Sequence, residues 1–157
     1  MRIRHATPAD IPQIRRLEEQ APMAAHWDST QYDALFSPWA APRTVFVATG
    51  ESDDSAIAGF LVARCLADEW EIENVVVGLG FRRQGIGSRL VGELLHQAGT
   101  AGASALLLEV RESNLPAVRL YESIGFKPEG RRQAYYQNPS EDALLFRLWL
   151  QSCDKMP

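Results

Sequence analysis

Apolar and polar positions along this chain follow two rhythms. Ile11, Ile14 and Leu17 recur at helical spacing, the mark of a helix with one buried face. Thr7 and Pro8 stand just ahead of them as N-cap and first helical residue, so a helix is predicted from there until Pro22 stops it. Residues 2–6 before it read as a short strand. A second helix is expected to open at Asp28-Ser29 and to carry Tyr32, Leu35 and Phe36. Pro38 and Pro42 bracket a loop, and Val45-Phe46-Val47-Ala48 reads as a strand. Ile57 to Leu66 is its hairpin partner across the polar turn Gly50 to Ser55. Trp70 to Val77 is another strand, with a near-continuous apolar end suited to a sheet centre.

Past Val77 the texture becomes glycine-rich and basic: Gly78-Leu79-Gly80-Phe81-Arg82-Arg83-Gln84-Gly85-Ile86-Gly87. Ile86, Leu90, Val91, Leu94 and Leu95 then mark the apolar stripe of a helix that Gly99 and Gly102 close. Ala105 to Val110 reads as a buried strand, and Ser113-Asn114-Leu115-Pro116 opens a helix ending at Gly125. Phe126 and Tyr135-Tyr136 are expected to flank a loop, and Ala143 to Leu150 to form a last strand. Helices alternate with strands and late strands pair as a hairpin, so the pattern predicts a mixed α/β (α+β) sheet covered by helices. No repeat or linker interrupts it: residues 1–150 are expected to form one domain and 151–157 a frayed tail.

A chain of 157 residues can bury a core without a disulfide or metal staple. Acidic residues outnumber basic ones 20 to 16, a net charge of −4, which argues against a nucleic-acid partner. Cys65 and Cys153 form no CxxC motif, and His5, His26 and His96 have no metal-ligand spacing, so no metal is expected. The start, Met1-Arg2-Ile3-Arg4-His5, lacks the apolar stretch of a signal peptide, and no apolar run approaches the ~18 residues of a membrane span. A cytoplasmic protein with no membrane partner is therefore expected.

Candidate chemistry gathers at the glycine-rich run. Glycines let backbone approach a ligand, and a helix start at Gly85 to Ser88 offers free N–H groups and a positive dipole end. With Arg82, Arg83 and Arg89 this makes a diphosphate cradle. Two common forms fail. Gly80 to Gly85 has P-loop spacing, but Ile86-Gly87 stands where Lys-Ser/Thr is needed. Gly85-Ile86-Gly87-Ser88-Arg89-Leu90 lacks the third glycine of the dinucleotide fingerprint. On these residues alone, an ordinary glycine turn with solvated arginines stays open.

Arg82-Arg83-Gln84-Gly85-Ile86-Gly87 resembles the Arg/Gln-x-x-Gly-x-Gly/Ala motif of the GNAT superfamily of N-acetyltransferases, and Ile72 to Val77 resembles its central strand. Leu108-Glu109-Val110-Arg111-Glu112-Ser113-Asn114 and Ala117 to Phe126 are similar to its branch of ribosomal-protein-alanine N-acetyltransferases. The likeness runs on through Arg131-Arg132, Tyr135-Tyr136 and Glu141-Asp142-Ala143. The resemblance implies a GNAT fold, with a mixed sheet of six to seven strands and about four helices, in a monomer or weak homodimer. It implies acetyl-CoA as cosubstrate and direct transfer to a primary amine. The first acceptor implied is a protein N-terminal α-amine, on a ribosomal-protein alanine. A lysine side chain or small-molecule amine is the alternative, and a non-catalytic acyl-CoA-binding module the remote one.

The resemblance also assigns residues. The pyrophosphate would lie on the backbone of Arg82, Arg83, Gln84, Gly85, Ile86, Gly87 and Ser88, so a side chain at Gly85 or Gly87 would take its place. The pantetheine arm would pair with Val75, Val76 and Val77 like an added strand, and a bulge usual in this strand would aim an N–H at the thioester carbonyl. Asn114 would touch the arm, or be a plain helix cap. Glu109 and Tyr121 match the family's catalytic pair. An α-amine with a pKa of about 8 is mostly ammonium at pH 7. Glu109 would take its proton directly or through a water, and Tyr121 would protonate the departing thiolate. Both have structural readings: Glu109 as the partner of Arg111 or Arg119, Tyr121 as a core aromatic. Alternation puts Glu73 beside Glu71 and Val75, opposite Ile72 and Asn74, as a rival base or a positioning carboxylate. Trp27 and Tyr135 match positions that flank the acceptor, or are core or rim aromatics. Gly78-Leu79-Gly80 stands where the family usually carries a proline and a polar residue, and a looser loop is expected there.

Overall fold

The computed structural model describes residues 1–137 and 139–151, so the expected tail lies almost wholly outside the described residues. Seven strands alternate with four helices: β1 (Arg2–His5), α1 (Ile11–Glu19), α2 (Ser29–Ala34), β2 (Arg43–Thr49), β3 (Ile57–Leu66), β4 (Glu69–Val77), α3 (Ile86–Thr100), β5 (Ala105–Arg111), α4 (Leu115–Ile124), β6 (Lys127–Tyr136) and β7 (Glu141–Trp149). They form one sheet in the order β1-β2-β3-β4-β5-β7-β6. Only β4 and β5 run parallel, because α3 crosses between them.

Local chemistry explains the elements. The Thr7 N–H donates to Asp10 Oδ2 at 2.8 Å, closing a 3-10 turn ahead of α1. Arg4 grips the same carboxylate at 2.8 and 3.0 Å and holds it below the usual carboxylate range. Asp28 caps α2, accepting from the Gln31 N–H at 2.9 Å. Gly99 is still helical, and α3 closes at Gly102 as expected, which supplies the left-handed residue (φ 82°). The expected loop before Tyr135 is instead an edge strand, β6, whose residues are exposed almost throughout. An edge strand open to solvent carries no apolar alternation, so its pattern is that of a loop.

The sheet separates two cores. Ile14 of α1 and Tyr32 of α2 pack on Val45, Val47, Phe60, Val62 and Val76. On the other face, Ile86, Leu90, Val91 and Leu94 of α3 pack on Phe46, Leu61, Trp70, Ile72, Leu106 and Leu108, with Tyr121 of α4 beside them. Each fully buried leucine contributes roughly 1.5–3 kcal/mol. Among the described residues no helix is long and apolar enough to cross a membrane.

Candidate active site

The site begins with an irregularity in β4. Its pairing with β3 runs from Val77↔Gly59 to Asn74↔Val62 and resumes at Ile72↔Ala63, leaving Glu73 as the extra residue of a bulge. Trp70 and Ile72 face the α3 core, whereas Val76 lies in the α1–α2 core. Asn74 Nδ2 donates to Glu18 of α1 at 3.0 Å, so it too faces α1. Glu73 stays with Glu71, since Arg64 reaches both carboxylates (2.7 and 3.9 Å). The bulge therefore puts Glu73 and Asn74 on one face and turns Val75 and Val77 to the other, against the α3 core. This corrects the simple alternation, which had Val75 beside Glu73 and Asn74 opposite.

Parallel pairing of β4 with β5 stops at Ile72↔Leu108. Beyond that pair β4 is bonded only to β3, and β5 only to β7, so the strands part and each has a free edge. A cleft of about 580 Å³ opens there. Its walls are Glu71 to Val75 of β4 and Leu108 to Arg111 of β5. Asn114 and Tyr121 line it from the α4 side, and Met23, Trp27, Tyr135 and Tyr136 from the other.

Glu109 and Tyr121 meet at this cleft from opposite sides of the sheet. Glu109 is paired with neither Arg111 nor Arg119. Arg111 bonds to Glu141 at 3.5 Å and lies 4.2 Å over the Tyr136 ring, and Arg119 is exposed on α4. The partner of Glu109 is Arg132, at 3.1 Å. Tyr121 is buried, packed edge-on against Phe126 at 5.6 Å, and makes no side-chain hydrogen bond to a described residue. Burial first, and then nearby Tyr136, push its hydroxyl well above the ordinary tyrosine range. Tyr136 is pushed up to about 12, by burial and then by the charge of Glu109. Tyr135 is also raised, first by that charge, then by burial.

Glu73 is held differently. Arg43 Nε donates to one of its oxygens at 2.7 Å and Nη2 to the other at 3.2 Å, a bidentate grip. The same guanidinium lies 5.7 Å over Trp27, fixing the ring at the cleft rim. The buried Glu18 carboxylate accepts from the Trp27 N–H and from Asn74, both at 3.0 Å, and so ties the rim to the bulge. Arg43, Arg64, Glu18, Asn74, Arg132 and Tyr136 were not singled out from sequence for these contacts. The hairpin register that places Arg43 opposite Arg64 was the available signal for that pair.

The glycine-rich run sits at the start of α3. The backbone N–H groups of Gly85, Ile86, Gly87 and Ser88 have no partner among the described residues. Gly85 adopts φ 76°, and a Cβ there would meet nothing within 4 Å. Gly87 differs from expectation: a Cβ would lie 3.1 Å from Leu120 Cδ2, so it allows α3 to approach α4 rather than clearing space for a ligand. Arg82, Arg83 and Gln84 are exposed, and Ile86 is buried in the core. Val76 likewise turns its side chain into the α1–α2 core, leaving only its backbone to the free edge. Asn114 caps α4, accepting from the Ala117 N–H at 3.4 Å, while still lining the cleft. Gly78 to Gly80 leads into a 3-10 turn rather than a loose loop, closed by the Phe81 N–H on the Gly78 carbonyl at 2.9 Å.

Comparison with known proteins places these features in context. The sequence profile of the Acetyltransferase (GNAT) family matches residues 11–126. A [ribosomal protein bS18]-alanine N-acetyltransferase of Salmonella typhimurium is 34% identical over 135 residues, 80% of this chain and 90% of the relative. The crystal structure of the ribosomal-protein-S18-alanine N-acetyltransferase from Escherichia coli superposes with a TM-score of 0.83 at 26% identity, covering 99% of this chain and 98% of that one. Arabidopsis thaliana NAA60, solved with a bisubstrate analogue, shares the fold at a TM-score of 0.83 and 19% identity, covering 94% of this chain and 97% of its own.

Proposed function

The chain belongs to the GNAT family of acetyltransferases, and on that basis we propose that it moves the acetyl group of acetyl-CoA to the N-terminal α-amine of a polypeptide. The N-terminal alanine of a ribosomal protein is the acceptor to test first, by similarity to the Salmonella and E. coli enzymes. One observation carries the reading: a single cleft passes through the parted sheet, with Glu109 and Tyr121 reaching it from opposite faces.

Acetyl-CoA supplies an activated acetyl thioester. The free N–H groups of Gly85 to Ser88, at a positive helix end, suit a pyrophosphate, and the open space at Gly85 leaves room for it. The free edge of β4 suits an amide-bearing arm that pairs as an added strand. The acceptor enters from the rim formed by Trp27, Glu73 and Tyr135. Glu109 takes a proton from the ammonium, directly or through a water, and the neutral nitrogen attacks the acetyl carbonyl. As the C–S bond breaks, Tyr121 protonates the sulfur and is reprotonated from solvent, and the nitrogen sheds its second proton to water. Burial keeps the Tyr121 hydroxyl protonated, and the donor role rests on its place in the lining of the cleft. Both oxygens of Glu73 are occupied by Arg43, which supports positioning rather than proton removal.

Peptides starting with alanine, serine or methionine, set against lysine-only controls with blocked N-termini, test the reading by release of free thiol from acetyl-CoA. Turnover of the alanine peptide at least tenfold above the lysine control is expected. A lysine control that outpaces every free N-terminus overturns it.

A further inference from the structure

β6 is distorted between Arg132 and Tyr136. Arg132 pairs with Ala143 of β7, and the next pair is Tyr136 with Glu141, so three β6 residues face one β7 residue. Within this slip Ala134 takes a left-handed backbone (φ 48°), a conformation that costs a non-glycine residue. Asp142 holds the distortion, accepting from the Ala134 N–H and from Arg131, both at 2.9 Å. In a regular strand, residues three apart point to opposite faces. Here Arg132 and Tyr135 turn to the same place: the Arg132 guanidinium lies 5.3 Å over the Tyr135 ring while its Nε meets Glu109 Oε1 at 3.1 Å.

The direction of approach matters. Glu109 lines both the cleft and a neighbouring hollow of about 210 Å³, whereas Arg132 lines only the hollow. The guanidinium therefore meets Oε1 from the side of the hollow, while the carboxylate still borders the cleft, where the Tyr135 hydroxyl also lies within its reach. Among the described residues Arg132 is the sole cation within 4 Å of Glu109. Other charges near the cleft are engaged elsewhere: Glu71 with Arg64, Glu73 with Arg43, and Arg111 with Glu141.

We propose that Arg132 is a positioning residue for the transfer reaction: braced on Tyr135 by the Asp142-held distortion of β6, it pins Glu109 Oε1 and aims Oε2 at the acceptor amine. The inference rests on Glu109 being the base. Misorientation of a reacting group by about 1 Å can cost on the order of 100-fold. Arg132→Gln is therefore expected to lower kcat at least about tenfold, with the KM of acetyl-CoA unchanged. Arg132→Lys should restore part of the loss, since it returns the charge but not the planar stacking group. The Arg132 side chain is 55% exposed, so its loss should move Tm by no more than about 4 °C. A double-mutant cycle with Glu109→Gln is decisive: if Arg132 acts only through Glu109, the double variant is no slower than Glu109→Gln alone. Losses that multiply overturn the proposal, as does a fall in acceptor KM at unchanged kcat, which would make Arg132 a competitor of the amine. If Glu109→Gln is fully active, the assignment of the base fails and this inference falls with it. If Glu109→Gln is crippled while Arg132→Gln is fully active, only the inference on Arg132 falls.

Discussion

Two side chains on opposite faces of the sheet carry the proposed chemistry, and each has a distinct kinetic signature. Glu109→Gln removes a general base and is expected to lower kcat by about 10²–10⁴. Tyr121→Phe removes a proton donor used only as the thiolate leaves, so it should lower kcat while acetyl-CoA affinity is kept. Steady-state kinetics with both substrates varied checks the pair; losses under threefold contradict the roles. The direction of the Tyr121 shift adds a pH expectation. Its hydroxyl is held above the ordinary range, so it remains a donor through pH 10. The pH–rate profile should therefore show no descending limb from Tyr121 between pH 7 and 10. Tyr136 bears on stability instead. Its folded value of about 12 exceeds the unfolded tyrosine value of about 10. Its contribution is therefore complete below pH 10 and is lost as pH rises through 12. Urea unfolding at pH 8, 10 and 11 should show the decline, and Tyr136→Phe should make it shallower.

The start of α3 and the bulge of β4 bring backbone, rather than side chains, to the site. Gly85 and Gly87 separate two effects there. A binder selective for the folded state, at 100 times its Kd, stabilises by about 2.7 kcal/mol, roughly 5–11 °C for a domain of this size. Gly85→Val forces a branched residue into φ 76° over the open cradle, so its basal Tm should fall through backbone strain and the acetyl-CoA-dependent rise in Tm should vanish. Gly87→Val instead drives into Leu120, so its basal Tm should fall by the equivalent of about 1–3 kcal/mol of overpacking while the acetyl-CoA-dependent rise is kept. Thermal melts with and without acetyl-CoA distinguish them. An undiminished shift in Gly85→Val would remove the cradle from that loop.

The two cores share one sheet. Adjacent residues of β2, Phe46 and Val47, belong to opposite cores, so neither can melt while the other keeps its strand. Unfolding is therefore expected as one transition, with far-ultraviolet circular dichroism and tryptophan fluorescence giving the same midpoint. Leu106→Ala, beneath α3, should cost about 2–5 kcal/mol and move both probes together. Two separated midpoints would instead divide the chain into two units.

The helices α1, α3 and α4, the strands from β2 to β5 and the glycine-rich start of α3 were legible in the sequence. Their determinants are local: apolar periodicity, a Pro at a helix start, a Gly where the backbone turns left-handed. That Glu109 lies on β5 and Tyr121 on α4 was legible too, through the run of residues around each. β6 was not, because an exposed edge strand buries neither face and writes no period into its sequence. Nor was the side of the sheet on which Asn74 and Val75 fall, since a bulge exists only as a mismatch between two paired strands. Tertiary structure also decided the partners of the carboxylates. Arg43 lies 30 residues from Glu73, and Glu109 meets Arg132 across β7. Ion pairs of this kind are set by strand order and register, and neither is determined by the neighbours of a residue along the chain.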